Sequence, residues 1–279
     1  MPKELMNIAD YHQKMIDYLN EVEPEFMAWL TFFWADQADA MTNKRIRKMI
    51  LSGDVPRELM EQWQQDYSRL ASAKIEPAYG LAMKKATGFI TEKYPKFIFH
   101  HDWWGIEKWI AENSGNLAVE LSFNQHQALK MVISRFVVSG NPGQTVDQLS
   151  RAIRPIIGLH SRYATATVNY YNTLIANGVR PSRALRLQTN YAKRLHRYRA
   201  MMITRTELAK AYCAGAELGI QQAQETGFIG EIERIWDTSE DERVCPLCNE
   251  RHGKPITKDQ IPPGHPGCRC ATIYKEVEG

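Results

Sequence analysis

The sequence predicts a mainly α-helical protein, a multi-helix region with one long basic helix, followed by a small C-terminal β-containing unit rich in Cys and His. Three observations carry this. Apolar residues recur at three- and four-residue spacing over most of the chain. From Ser182 to about Thr226 there is no proline, and the only glycines are Gly215 and Gly219. Four of the five cysteines fall within the last 35 residues. The expected division is a helical N-terminal region at 1–139, a helical region with the long helix at 140–226, and the Cys/His unit at 227–279.

Along the N-terminal region, residues 4–20, 23–39 and 57–72 each read as an amphipathic helix. Breaks are expected at Gly53 to Pro56, around Pro77, and at Tyr94-Pro95. Ser122 to Gln125 reads as a capping box opening a helix that Ser139 to Gly143 stops. Thr145 caps a further helix ending near Pro155; Asn177-Gly178 ends the next, and Pro181-Ser182 opens the long one.

On the long helix, Leu187, Tyr191, Leu195, Tyr198 and Met202 repeat at intervals of 4, 4, 3 and 4, which predicts a buried stripe. Thr206, Ala209, Cys213, Ala216 and Ile220 continue it with smaller side chains that let another element approach closely. A kink or break is expected, because few globular helices run on the order of 65 Å. Past Gly227, Ile229 to Trp236 and Ala271 to Val277 read as strands around a loop dense in Pro, Gly, Cys and His.

Charge is nearly balanced, with 35 Lys and Arg against 32 Asp and Glu, and ordinary proportions of 44% hydrophobic and 24% charged residues exclude low-complexity disorder and fibrous rods. The opening MPKELMNIADYHQ lacks the apolar core of a secretory signal. The apolar run from Phe26 to Ala35 is half of the roughly 20 residues a membrane span needs, so a soluble protein made in the cytoplasm, with no membrane partner, is expected.

The net +3 conceals a polarised chain. Residues 151–210 hold twelve Lys and Arg against Glu207, whereas 217–250 hold nine acids against Arg234 and Arg243. Arg183, Arg186, Arg194 and Arg197 share a helix face, and with Lys193 they form the candidate nucleic-acid-binding set. A solvated face, or one that meets an acidic partner protein, remains the alternative.

The cysteines form a pattern suited to metal: Cys245-x2-Cys248, sixteen residues, then His265-x2-Cys268-x-Cys270. Five candidates serve four positions. Cys245, Cys248, His265 and Cys268 are the preferred ligands of a zinc ion, and Cys270 could replace either member of the second pair. A site with four protein ligands is closed and structural. Cys213 reads as a core residue and His252 as a surface loop residue. Catalytic signatures are missing: no P-loop, no nucleophile elbow, no dinucleotide fingerprint. An HNH-type nuclease would need a further helix with Asn and His, and the nine residues after Cys270 carry neither. His100, His101 and Asp102, beside Trp103, Trp104 and Trp109, read as an aromatic packing or contact patch. No catalytic residue is assigned and no enzyme is expected; a DNA-processing, nuclease-like enzyme using the Cys/His cluster is the alternative.

Arg205-Thr206-Glu207, Trp236, Cys245-Pro-Leu-Cys248 and His265-Pro-Gly-Cys268-Arg-Cys270, in that order, resemble the phage Mu F-like domain of phage minor head, or head morphogenesis, proteins. The likeness covers about 140–279 and includes Ile156-Ile-Gly-Leu159. It implies a structural minor capsid protein in the virion, located at the portal vertex in the capsid interior and in the host cytoplasm during assembly. It further implies several copies around the portal protein as partner, with DNA, the major capsid protein or a scaffold protein as further partners, and in some members passage into the host with the ejected DNA. Some members carry an effector domain beyond the cysteine motif; ending nine residues past it, this chain is expected to have none. By position, Arg205 and Glu207 match the family's helix motif and are expected to form a structural ion pair that anchors the zinc unit.

Overall fold

The computed structural model describes residues 3–4, 8–100, 102–139 and 145–277. Ten α-helices and three strands run in the order β1 (Lys3–Glu4), α1 (Ile8–Ala40), α2 (Asn43–Ser52), α3 (Arg57–Leu70), α4 (Glu76–Ala86), α5 (Gly88–Lys93), α6 (Trp104–Ser139), α7 (Val146–Ile153), α8 (Ser161–Ala176), α9 (Pro181–Glu225), β2 (Ile232–Asp237), α10 (Pro246–Arg251) and β3 (Ala271–Glu276) among the described residues. The mainly helical class with a small β-containing Cys/His end is as the sequence predicts.

Several boundaries follow from local chemistry. At the start of α7, Thr145 accepts from the Gln148 amide and the Gln148 side chain returns to the Thr145 N–H, a full capping box. Thr42 caps α2, and Gly53 ends it with φ 71°. Pro77 falls in the first turn of α4, after a π-helical stretch from Ala71 to Ile75.

Three expectations fail. Pro24 lies inside α1, one helix of 33 residues where two were expected. Ser122 caps nothing: it is buried within α6, its hydroxyl donating to the Val119 carbonyl. The expected stop at Ser139 to Gly143 lies, beyond Ser139, outside the described residues. And α9 runs 45 residues without interruption.

The chain divides into two compact units, each discontinuous in sequence, and so differently from 1–139, 140–226 and 227–279: unit 1 is Met1–Glu25, Ser72–Asn113 and Met201–Gly279, and unit 2 is Phe26–Ala71 and Ser114–Ala200. Unit 2 carries 18 Lys and Arg against 8 Asp and Glu, a net of +10; unit 1 carries 17 against 24, a net of −7.

Unit 1 contains the sheet, in the order β1-β3-β2 with both pairings antiparallel. Trp236 faces Thr272 and Arg234 faces Tyr274 across β2 and β3. Arg234 reaches back to α9, its Nε donating to Glu217 at 2.8 Å in a buried ion pair. The small residues of α9 admit close neighbours here, as expected. A Cβ on Gly215 would overlap the Met83 backbone of α4, and one on Gly219 would overlap the Thr87 side chain.

Unit 2 is built on the Ile156-to-Leu159 turn. Gly158 adopts φ 88°, and a Cβ there would overlap the Trp34 ring. The turn's carbonyls receive α9: His196 Nε2 donates to Ile157 at 2.8 Å, and Arg199 donates to Gly158 while stacking over Trp34. Burial pushes the His196 pKa down to about 4, so the ring is neutral at neutral pH. The predicted stripe of Leu187, Tyr191 and Leu195 is only half-buried. The fully buried positions of α9 in this unit are Ala184, Gln188, Ala192, Arg199 and Ala200, where short side chains or internal hydrogen bonds permit close packing. Gln188 Nε2, for example, donates to the Ala152 carbonyl at 2.8 Å.

Gly158→Ala meets both a left-handed backbone and the Trp34 ring and is expected to cost about 2–4 kcal/mol. Gly178→Ala, at φ 76° with nothing near its Cβ, meets only the backbone cost of about 1 kcal/mol. Urea unfolding followed by tryptophan fluorescence separates the two, and equal losses would show that the Trp34 contact contributes nothing.

Candidate metal centre

Cys245 stands at the N-cap of α10, where its sulfur accepts the Cys248 N–H at 3.4 Å and Pro246 occupies the first helical position. Residues three apart on a helical turn project to one side, so Cys245 and Cys248 converge. A second loop approaches from the other side. It starts at a turn from Lys258 to Gln260 capped by Thr257 and closes where the Cys268 N–H donates to the His265 carbonyl at 3.1 Å.

The two loops bring all five predicted residues together in two overlapping groups. Cys245, Cys248 and His265 form one, Cys248, Cys268 and Cys270 the other, with donor atoms in each group within 4.8 Å of one another. His265 Nε2 lies 3.2 Å from both Cys245 Sγ and Cys248 Sγ, and Cys248 Sγ lies 3.8 Å from Cys268 Sγ. Zinc bonds of about 2.3 Å to sulfur and about 2.05 Å to nitrogen set tetrahedral edges of about 3.8 Å for S···S and about 3.6 Å for S···N. These three separations are close to that size, but no four of the five donors lie within 4.8 Å of one another. His265 also shows the orientation of a ligand: Nδ1 donates to the Pro266 carbonyl at 3.0 Å, which leaves Nε2 as the free lone pair facing the sulfurs.

The thiols are not equivalent. The Cys248 amide holds the Cys245 thiol below its usual pKa, whereas burial, with the Cys245 sulfur beside it, pushes Cys248 up to about 12. Cys270 hydrogen-bonds to Cys268 and draws it down to about 5, and that bond with burial raises Cys270 itself. Cys268 and Cys270 thus act as a linked pair, and both lie within reach of Cys248. Trp236, Val244 and Ile256 wall the cluster, with the Arg251 guanidinium 5.0 Å from the Trp236 ring.

A family model described as phage Mu protein F like protein matches residues 132–273, just over half of the chain. The chain belongs to this family. As a phage Mu F-like protein it is a phage head morphogenesis protein, a component of the virion that works with other head components, in a family that is generally structural. No curated protein and no solved structure matches the chain. No helix is long and apolar enough to cross a membrane among the described residues.

The Arg-Thr-Glu motif of this Mu F-like chain acts differently from expectation. Residues two apart on a helix point to nearly opposite sides, and Arg205 and Glu207 reach different helices. Arg205 Nε donates to Glu23 of α1 at 2.6 Å, and the Tyr79 hydroxyl of α4 donates to Glu207 at 2.6 Å. The contact to the Cys/His loop is made by the residue between them. Thr206 Oγ1 accepts the Gly267 N–H at 2.9 Å and donates to the Met202 carbonyl. Thr206 lies inside the Arg-Thr-Glu motif, but a hydroxyl between two charged residues carries no sequence signal of a partner 61 residues away.

His12 was also not legible. Its Nδ1 lies 2.7 Å from Asp237 at the end of β2, and its Nε2 2.6 Å from the carbonyl of Arg269 between the two last cysteines. Two acceptors require two N–H groups, so the buried ring is an imidazolium. Burial opposes the charge, but the Asp237 carboxylate and the Arg269 carbonyl outweigh it and the pKa is raised. Arg269 in turn donates to Asp241 at 2.8 Å and holds that carboxylate far below its usual range. His252 is no mere loop residue: its ring takes the Thr238 N–H at 3.2 Å and faces Glu240 at 3.0 Å. Cys213 is buried, as expected.

Of the basic set, Arg183, Arg186, Lys193, Arg194 and Arg197 are all exposed. At 100° per residue they span an arc of about 100° on α9. Arg199, inside the same run, is buried and unavailable. Trp103 and Trp109 pack against Met83, Ile106 and Ala214, whereas Trp104 is exposed and His101 lies outside the described residues.

Because the folded His12 pKa lies above the unfolded value of about 6.5, its stabilisation is fully present below that pH and is lost as pH rises through the folded pKa. The stability difference between wild type and His12→Gln is therefore expected to be largest under mildly acidic conditions and to shrink toward alkaline pH. A difference constant across that range would show a neutral ring.

Proposed function

We propose that this head morphogenesis protein is a non-enzymatic component of the portal vertex inside the capsid, binding the portal protein in several copies and contacting packaged DNA through the basic face of α9, with a structural zinc closing its C-terminal loops. The observation that carries the DNA contact is the arc of five exposed cations in a unit of net charge +10. Such a face neutralises phosphates without reading bases. The acidic remainder, at −7, suits protein partners and discourages free sliding on DNA. Exit with the DNA during ejection fits a protein placed there.

The residues suited to hold zinc are Cys245, Cys248, His265 and Cys268, with Cys270 supporting Cys268. The ion would supply folding energy by joining two loops that share little core. The enzymatic reading needs an open coordination position, and five candidate ligands for four positions leave none.

DNA contact is tested by the salt dependence of duplex binding. Five cations on phosphates predict a slope of log K against log salt of about −4.5, and alanine at all five positions is expected to flatten it to near zero. A wild-type slope near zero would remove DNA from the function. Metal content gives the second test: about one zinc per chain is expected, lost in Cys248→Ser and retained with affinity lowered about tenfold or more in Cys270→Ser. Metal-dependent DNA turnover in the wild type would instead favour the nuclease-like reading.

A further inference from the structure

Within unit 2, α1 and α9 do not close on each other along their full length. Between them lies an open groove of about 740 Å³. Its α1 wall runs from Thr31 to Asp39 and its α9 wall from Leu185 to Arg197, about 12 and 18 Å at 1.5 Å per residue. The Pro155 and Ile157 turn forms the floor. Phe32 stands at the edge, 71% exposed and with no ring partner among the described residues.

Several polar groups of the groove are already satisfied. His196 donates to Ile157, Thr189 to the Leu185 carbonyl, and Arg154 to the Ala38 carbonyl and Asp39. What is left is an apolar trough with three rim cations, Arg151, Lys193 and Arg197, that have no carboxylate partner among the described residues. Apart from those cations and Asn43, the lining offers a base little to read. A trough two to three turns long, with unpaired positive charge along its rim, has the dimensions and charge of a helix-binding groove.

We propose that this groove docks an acidic amphipathic helix from another head protein, whose apolar residues at i, i+3 or i+4, and i+7 cover Phe32, Ala35 and Pro155 while its carboxylates meet Arg151, Lys193 and Arg197. Lys193 and Arg197 also belong to the set assigned to DNA, so a docked helix and a duplex compete for them. Arg151 and Phe32 lie outside the set assigned to DNA, so the two can fail separately.

The probe is a fluorescein-labelled helical peptide of about 15 residues with Leu and Phe on one face and Glu on the other, read by anisotropy against the full chain. Binding in the micromolar range is expected, with no binding by the same peptide carrying Lys for Glu. Phe32→Ser and Arg151→Glu are each expected to weaken the peptide about tenfold or more while leaving the salt slope of duplex binding unchanged. Both positions are exposed, so folding is kept and is checked by thermal melting. Ala35→Trp, which fills the trough from its exposed side, is expected to do the same. No binding of the acidic peptide up to about 1 mM, equal binding by the Lys peptide, or wild-type affinity in Phe32→Ser and Ala35→Trp would each overturn the proposal. So would loss of duplex binding in Phe32→Ser, which would make the groove a nucleic-acid site.

Discussion

A helix in a protein draws most of its stability from tertiary packing, and α9, 45 residues long, must find packing partners along its length. In unit 2 the helix is held by its smallest and its most polar residues: Ala184 and Ala192 permit approach, and Gln188, His196 and Arg199 hand their hydrogens to backbone carbonyls of neighbouring segments. In unit 1 the same helix admits α4 through Gly215. Gly158 belongs to this scheme. Only a glycine can turn left-handed beneath Trp34 and still present two successive carbonyls to His196 and Arg199.

That packing mode explains what the sequence disclosed and what it hid. Helical class, the cap at Thr145 and the stop at Asn177-Gly178 are local chemistry, and the residues that make them are adjacent in sequence. The Leu187 stripe misled because hydrophobic periodicity locates large apolar side chains, whereas the closest contacts of α9 are made by alanine and by internally bonded polar groups. Pro24 and Ser122 misled for the converse reason: each is a local break signal overridden by the packing of the long helix that contains it. At the site, the five Cys/His residues were legible because ligand spacing is itself sequence-local on each loop. Thr206 and His12 were not, since their partners lie 61 and 225 to 257 residues away.

The charge distribution acquires a physical form at the level of the units. Arg199 shows that not every cation of the basic run is available, since one is consumed inside unit 2 against Trp34 and a carbonyl. Arg183, Arg186, Lys193, Arg194 and Arg197 of α9 are exposed. They fall on its outer arc and on the rim of an apolar trough, both open to solvent. Surface charge used in this way gives affinity and orientation with little chemical selectivity, which suits a protein whose partners are presented to it by an assembly.

The Cys/His loops are held from outside before any ion is considered. Thr206 fixes the backbone at Gly267, and His12 fixes it at Arg269, one residue on either side of Cys268. Both holds fall on main-chain atoms, so they set where the loop runs without competing for the sulfurs. The first loop is held separately, by the Cys248 amide on the Cys245 sulfur. Two independently fixed loops that face each other across 3.2 to 3.8 Å leave little to be ordered by a ligand. Metal bound there would therefore spend little of its binding energy on closing the loops, and more of it would appear as stability of the C-terminal unit. The imidazolium at His12 adds a condition: the hold on Arg269 needs a proton as well as a carboxylate, which ties the second loop to β2 through Asp237.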